Sequence, residues 1–76
     1  MRALLEYMAR QLVDQPDAVQ VRERAGRFNT VTLELTVAPD DAGKVIGRGG
    51  RVAKALRSVL SVAAARDGKR VHLDIE

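Results

Sequence analysis

The sequence predicts an α+β fold in which helices pack on one face of a single three-stranded sheet, in the order α-β-β-α-α-β. Apolar residues recur at helical spacing over residues 3–14 and 50–66. They alternate with polar residues over residues 18–25, 31–37 and 71–76, which is typical of half-buried strands. A chain of 76 residues has the length of one small domain, so we expect residues 1–76 to form one unit.

The N-terminal half predicts a helix followed by two strands. The helix over residues 3–14 has one apolar stripe, formed by Leu5, Met8, Leu12 and Val13. Pro16 ends it, because the residue before a proline is disfavoured in helical geometry. A short strand over residues 18–25 then leads to a turn at Gly26. The next strand, over residues 31–37, has the clearest alternation in the chain.

The C-terminal half predicts two helices and a last strand. Asp40 and Asp41 favour the start of a short helix over residues 40–46, because acidic side chains stabilise a helix N-terminus. A longer helix runs over residues 50–66, and its predicted buried stripe is Val52, Leu56, Val59, Leu60 and Ala63. Asp67 and Gly68 turn the chain into the strand over residues 71–76. The polar strand residues are expected to face solvent: Thr32, Glu34, Thr36, His72 and Asp74.

The composition argues against several classes of protein. There is no cysteine and one histidine, His72, so neither a disulfide, a thiolate metal site nor a His-paired nucleophile is predicted. No carboxylates are placed as a catalytic pair, and Asp40 and Asp41 fit a helix start better. We therefore expect that the protein is not an enzyme and that it binds neither a cofactor nor a small-molecule substrate. No segment is long and apolar enough for a membrane span or a signal peptide, so we expect a cytoplasmic protein.

Positive charge is concentrated in one third of the chain. The formal net charge is +3, but residues 44–66 carry six basic side chains and no acidic one. The flanking segments, residues 1–43 and 67–76, each have a net negative charge. A localised basic segment indicates an anionic partner, although it is also compatible with an ordinary solvated helix face.

The basic segment contains a glycine-rich loop between the two C-terminal helices. Three of the four residues Gly47-Arg48-Gly49-Gly50 are glycines, which let the backbone turn sharply and approach another molecule closely. The loop leads into a helix N-terminus, where free N–H groups and the helix dipole favour an anion. Arg48 and Arg51 add full positive charges. The pattern predicts a site for a phosphate backbone.

Two nucleotide-binding motifs do not fit this loop. No glycine is followed by Lys-Ser or Lys-Thr, as a P-loop requires. In a dinucleotide fingerprint that began at Gly47 and Gly49, the third glycine would fall at position 52, which is Val52. What remains is the shorter pattern G-x-x-G.

The stretch from Val45 to Val52, Val-Ile-Gly-Arg-Gly-Gly-Arg-Val, resembles the signature of KH RNA-binding domains, whose GXXG loop clamps about four backbone nucleotides. The strand-helix-loop-helix-strand of residues 30–76 is similar to the minimal KH motif, and the preceding helix and strand resemble the type II arrangement. Further segments look like the small stand-alone KH proteins of bacteria, the KhpA family: residues 4–7, 12–17, 37–44 and 68–71.

This resemblance implies a single KH domain that binds single-stranded RNA as a small RNA chaperone, without catalysis. It implies that the backbone of Gly47, Arg48, Gly49 and Gly50 approaches phosphates. Lys44, Arg51 and Lys54 would flank the path of the RNA backbone. Val45, Ile46 and Val52 would contribute to an apolar groove floor for bases, although the helical stripe favours a core position for Val52. The resemblance also implies a homodimer, or a heterodimer with a KhpB (Jag)-type protein.

Two features of the sequence qualify these expectations. The two aromatic residues, Tyr7 and Phe28, are far from the loop in sequence, so no base-stacking platform is predicted beside it. The loop also resembles a helix-hairpin-helix that holds DNA, but strand patterns on both sides favour the KH interpretation. An interaction module that completes a larger complex is the alternative of another class, since so small a core benefits from a partner.

Overall fold

The computed structural model describes all 76 residues and confirms the predicted α+β order. Three helices, α1 (Arg2–Leu12), α2 (Ala42–Ile46) and α3 (Arg51–Arg66), accompany three strands, β1 (Gln20–Ala25), β2 (Thr30–Thr36) and β3 (Arg70–Ile75). Single 3-10 turns precede β1, α2 and α3, at Pro16–Ala18, Pro39–Asp41 and Arg48–Gly50.

The sheet has the order β1-β2-β3, with β2 in the centre. β1 and β2 form an antiparallel hairpin, in which Val21 pairs with Leu35. β2 and β3 are parallel, and Leu33 pairs with Leu73. A parallel pair needs a long crossover, and here α2 and α3 supply it. Because β3 is at the edge of the sheet, one side of its backbone is left without a neighbouring strand.

The core lies between one face of the sheet and the helices. Leu33 and Leu35 of the central strand are fully buried, and they pack in one cluster with Leu5 of α1, Val45 of α2 and Leu60 of α3. This is the face that the alternation over residues 31–37 predicts. Burying apolar side chains at about 1.5–3 kcal/mol each is the main stabilising contribution in a chain of this size.

The buried stripe of α3 differs from the predicted one. Its buried residues are Ala53, Leu56, Leu60 and Ala64, whereas Val59 is 45% exposed. The small alanine side chains of α3 face the sheet and let the helix approach it closely. The bulkier valines lie at the side of the helix, away from the sheet. The same holds for α1, where Leu5 and Ala9 are buried and Leu12 is 39% exposed. The sequence pattern is therefore confirmed for Leu5, Val13, Leu56 and Leu60 and wrong for Leu12 and Val59, and it missed the buried alanines of both helices.

Candidate nucleic-acid interface

The loop between α2 and α3 is built from backbone conformations that favour glycine. Gly47 has φ 77° and ψ 169°, Gly49 has φ 64° and Gly50 has φ 77°. A Cβ built on Gly47 would lie 2.8 Å from the backbone nitrogen of Val52 and 2.5 Å from its side chain, so no other residue fits there. A Cβ on Gly49 would meet nothing within 4 Å, which leaves the outer side of the loop open for a ligand.

The loop presents two unpaired backbone donors at its tip. The N–H of Gly47 donates to the carbonyl of Gly43 at 2.8 Å, and that of Gly50 donates to the carbonyl of Gly47 at 3.1 Å. The N–H groups of Arg48 and Gly49, between them, have no acceptor within the protein. They lie directly before the N-terminus of a 16-residue helix, where the helix dipole also favours an anion. This refines the expectation that the whole loop approaches phosphates, since Arg48 and Gly49 hold the available donors.

Most of the basic side chains around the loop are free to meet an anion. Arg48, Arg51 and Lys54 are exposed and belong to no ion pair. Lys44 is different, because its ammonium group binds the carboxylates of Asp14 and Asp41. The structure therefore places Lys44 beside the loop but pairs its charge within the protein.

A groove runs from the loop along the free edge of β3. It is lined by Ile46, Gly50, Ala53, Arg57, Leu73, Asp74, Ile75 and Glu76. The floor is aliphatic, and Ile46, 42% exposed, stands at its mouth. The guanidinium of Arg57 donates to the carbonyl of Leu73 at 3.4 Å, which ties α3 to β3 across the groove. Two carboxylates at the β3 side make this wall unfavourable for phosphates, in contrast to the loop.

Val45 and Val52 are not on the floor of this groove. Val45 is fully buried and belongs to the core, where it packs α2 against the other core residues. Val52 is partly buried, closes onto Gly47 and points to the opposite side of α3. Helical geometry explains the position of Val45, because a side chain of α2 that faces the sheet cannot also face a ligand.

The sequence alone could not predict that β3 forms one wall of the groove. Leu73, Asp74 and Ile75 belong to an ordinary alternating strand, which Glu76 follows, and only the topology makes that strand the edge beside the loop. Arg57 was part of the basic segment, but its contact with Leu73 depends on how α3 crosses the sheet.

A buried carboxylate fixes the position of α2 and of the loop that follows it. Asp41 is 1% exposed, and its oxygens accept the backbone N–H groups of Asp14 at 3.2 Å and Gln15 at 3.0 Å. Burial alone would raise the pKa of Asp41, but these two donors and Lys44 together hold it below its ordinary value. Asp14 is the main reason that the pKa of Lys44 is raised. Asp41, predicted as a helix starter, thus ties α2 to the end of α1.

Replacing Asp41 with asparagine is expected to remove part of the acid sensitivity of the fold. Because the folded-state pKa of Asp41 is depressed, its stabilisation is present above the ordinary value of 3.8 and is lost as the pH falls through the folded-state value. Asp41→Asn should therefore lower the Tm at pH 7 and flatten the decline below about pH 4. Thermal melts from pH 7 to pH 2 measure both effects. Asp40→Asn, at an exposed neighbour, is the control, and equal curves for the two variants would contradict the assigned role.

A glycine-rich loop that joins two helices beside the edge strand of a three-stranded α-β-β-α-α-β unit is the arrangement of a KH domain. The family model described as "KhpA/KhpB, KH domain" matches residues 2–75. The chain therefore belongs to the KhpA/KhpB KH-domain family.

Curated relatives match along the whole chain. The "RNA-binding protein KhpA" of Clostridium acetobutylicum is 53% identical over 75 residues, which are 99% of this chain and 99% of that protein. The protein of the same name from Halalkalibacterium halodurans is 52% identical, over 99% of this chain and 97% of its own length. That from Aquifex aeolicus is 45% identical, over 99% of this chain and 94% of its own length.

The fold also occurs inside a larger protein. The structure of Era in complex with MgGDPNP and nucleotides of 16S ribosomal RNA matches 97% of this chain with a TM-score of 0.57 and 19% identity. The chain spans 28% of the length of that protein, and at this identity the match shows the fold alone. Within the present chain, no helix has the length and hydrophobicity needed to cross a membrane, and no three side chains of the metal-binding types are grouped together.

Proposed function

We propose that this protein binds single-stranded RNA through the GXXG loop and the adjacent groove, and that it holds RNA without chemical change. The observation that carries the proposal is the pair of unpaired N–H groups of Arg48 and Gly49 at the start of α3, beside three free cations. A phosphate group can accept hydrogen bonds from these N–H groups and form ion pairs with these cations. The curated relatives, named as RNA-binding proteins, support RNA as the ligand.

The groove supports a division of roles between the RNA backbone and the bases. Phosphates follow the loop, Arg51 and Lys54, whereas bases enter the groove over Ile46 and Ala53. Because the negative charges of Asp74 and Glu76 disfavour phosphates on the β3 side, that side of the groove favours base edges. No aromatic ring lines the groove, so bases are held by aliphatic contacts and hydrogen bonds. One domain that contacts about four nucleotides binds weakly and with little sequence preference.

Two observations favour this function over that of a helix-hairpin-helix that holds DNA. The chain belongs to the KhpA/KhpB KH-domain family, and its helices α2 and α3 pack on a sheet. We place the protein in the cytoplasm as an RNA chaperone that needs neither cofactor nor small-molecule substrate.

A second surface supports the proposal that the protein works as a dimer. An apolar groove between α1 and α3 is lined by Tyr7, Met8, Gln11, Leu12, Val52, Ala55, Leu56 and Val59. Tyr7 is 64% exposed in it, and Val62 beyond it is 60% exposed. Apolar surface concentrated on one face is typical of a protein interface. We propose a homodimer, or a heterodimer with a KhpB (Jag)-type protein, in which two weak RNA sites act together.

The double variant Arg48→Asp, Gly49→Asp is expected to lose RNA binding and to remain folded. It places two carboxylates beside the unpaired donors, and aspartate tolerates the left-handed conformation of Gly49 better than most residues. Fluorescence anisotropy with a pool of short single-stranded RNAs should show affinity reduced by about 30-fold or more, which is about 2 kcal/mol. For the wild type, log affinity should fall by about 0.7 per contacted phosphate for each tenfold rise in salt, and an apolar protein contact should not respond in this way.

The matched control is Gln20→Asp, Arg22→Asp, which changes the net charge equally on the exposed side of β1. It should retain most of the wild-type affinity. If both double variants bind like the wild type, or if the wild type binds no RNA at any salt concentration, the loop is not an RNA site.

A further inference from the structure

The hairpin between β1 and β2 carries an aromatic side chain in an unusual position. Phe28 is 90% exposed, the highest value among the large apolar residues of the chain. Its φ is 55° and that of Asn29 is 59°, and the N–H of Thr30 donates to the carbonyl of Arg27 at 3.1 Å. This is the geometry of a type I′ turn, whose two central positions favour Asn and Gly.

The fold does not account for phenylalanine at this position. A bulky residue with positive φ is strained, at a cost on the order of 1–3 kcal/mol. The ring does not contribute to the core, because Phe28 belongs to no buried cluster. Asparagine or glycine would form the same turn with less strain. A strained and exposed aromatic residue indicates that the ring has a partner outside the chain.

The surroundings of Phe28 are basic. The N–H of Arg70 donates to the carbonyl of Asn29 at 2.9 Å, so β3 begins directly beside the hairpin. Lys69 comes just before it, at the end of the turn after α3. Arg27, Lys69 and Arg70 are exposed and belong to no ion pair, and Asp67 is the one acidic residue between α3 and β3.

We propose that the hairpin tip is a second contact for single-stranded RNA, in which a base stacks on Phe28 and phosphates contact Arg27, Lys69 and Arg70. An exposed aromatic ring among free cations is the chemistry that single-stranded nucleic acid recognises. This inference rests on the proposed function, because the strand that reaches Phe28 is the one held at the GXXG loop.

The geometry allows one strand to reach both contacts. The loop precedes α3 and Lys69 follows it, so the two sites are separated by the length of a 16-residue helix, about 24 Å. The groove between α3 and β3 leaves the loop in this direction and extends as far as Arg57. At the rise of a stacked strand, about 3.4 Å, about seven nucleotides cover the distance. An RNA of 12 nucleotides can therefore reach both sites, whereas one of five can contact only one of them at a time, and we expect it to bind at the loop, where the unpaired N–H groups lie.

The test compares fluorescein-labelled RNAs of five and twelve nucleotides on wild type, Phe28→Gly and Lys69→Gln, Arg70→Gln. Phe28→Gly removes the ring and relieves the positive φ, so its resistance to urea should equal or exceed that of the wild type. Its affinity for the 12-mer should fall about tenfold, as expected for the loss of one stacked base, and its affinity for the 5-mer should not change. The double variant should lower the salt slope for the 12-mer by about 1.4.

The outcomes separate this inference from the function on which it rests. If Arg48→Asp, Gly49→Asp weakens both RNAs but Phe28→Gly weakens neither, the loop binds RNA and the hairpin contact is wrong. If the wild type does not bind the 5-mer, the loop proposal itself fails. A change in sedimentation mass on Phe28→Gly would assign the ring to a protein contact and would likewise overturn the inference.

Discussion

Replacement of Gly47 with alanine is expected to leave most of the protein unfolded at 25 °C. The φ and ψ of Gly47, 77° and 169°, lie in a region that is essentially restricted to glycine, and strain there costs on the order of 1–3 kcal/mol. The added Cβ would also meet the backbone nitrogen of Val52 at 2.8 Å, and only a shift of α3 relieves that contact. A chain of this size has a net free energy of unfolding of about 3–5 kcal/mol, and the strain and the steric contact together are comparable with that value.

Gly49→Ala is the matched control for this prediction. It has a similar φ of 64°, but its Cβ would meet nothing within 4 Å, so we expect a loss of about 1 kcal/mol. Urea denaturation followed by circular dichroism compares the two variants directly. Equal midpoints would show that positive φ, and not the contact with Val52, determines the need for glycine in this loop.

Val59→Asp is expected to dissociate the proposed dimer. Val59 is 45% exposed and lies in the apolar groove between α1 and α3. A carboxylate buried in such an interface loses hydration without gaining a partner, which should raise the dimer Kd by at least about 100-fold. Because Val59 is outside the core, the isolated chain should keep its helical circular dichroism spectrum.

Sedimentation equilibrium over a range of protein concentrations measures this effect. Ser61→Asp introduces the same charge on α3, at an exposed position that does not line the groove, and should leave the mass unchanged. A wild type that sediments as a monomer at every concentration would exclude the homodimer and leave a different protein chain as the partner. Equal dissociation by both variants would show that charge on α3, and not the apolar groove, is responsible.

The order of elements followed from the sequence because local pattern determines it. Strict alternation from Val31 to Val37 places every second side chain on one face of β2, whatever the rest of the chain does. The glycines of the loop were equally informative, since their positive φ values are a local property of the backbone. The resemblance to KH domains combined that loop with the order of elements around it and with short segments along the whole chain, and the family it indicated is confirmed.

The parts that could not be predicted depend on contacts between elements. The inward side of α3 is set by how closely Ala53 lets it approach the sheet, and a scale of hydrophobicity ranks Val59 above alanine. Asp41 was interpreted as a helix start, because its acceptance of N–H groups 26 and 27 residues earlier leaves no local trace. The ion pair of Lys44 could not be predicted for the same reason, since its partner Asp14 lies in the other half of the chain, and a role of Lys44 in RNA binding stays a prediction.

The open edge of β3 has a consequence for solubility. An unpaired strand edge is a template for the strands of other copies, and such pairing leads to aggregation. In β3 the side chains of Arg70, His72 and Asp74 lie on the exposed face, and the charges of Arg70 and Asp74 discourage strand addition. RNA seated beside Leu73 and Ile75 would cover the same edge. A bound strand would then protect the protein from self-association, and depletion of RNA at high protein concentration would favour precipitation.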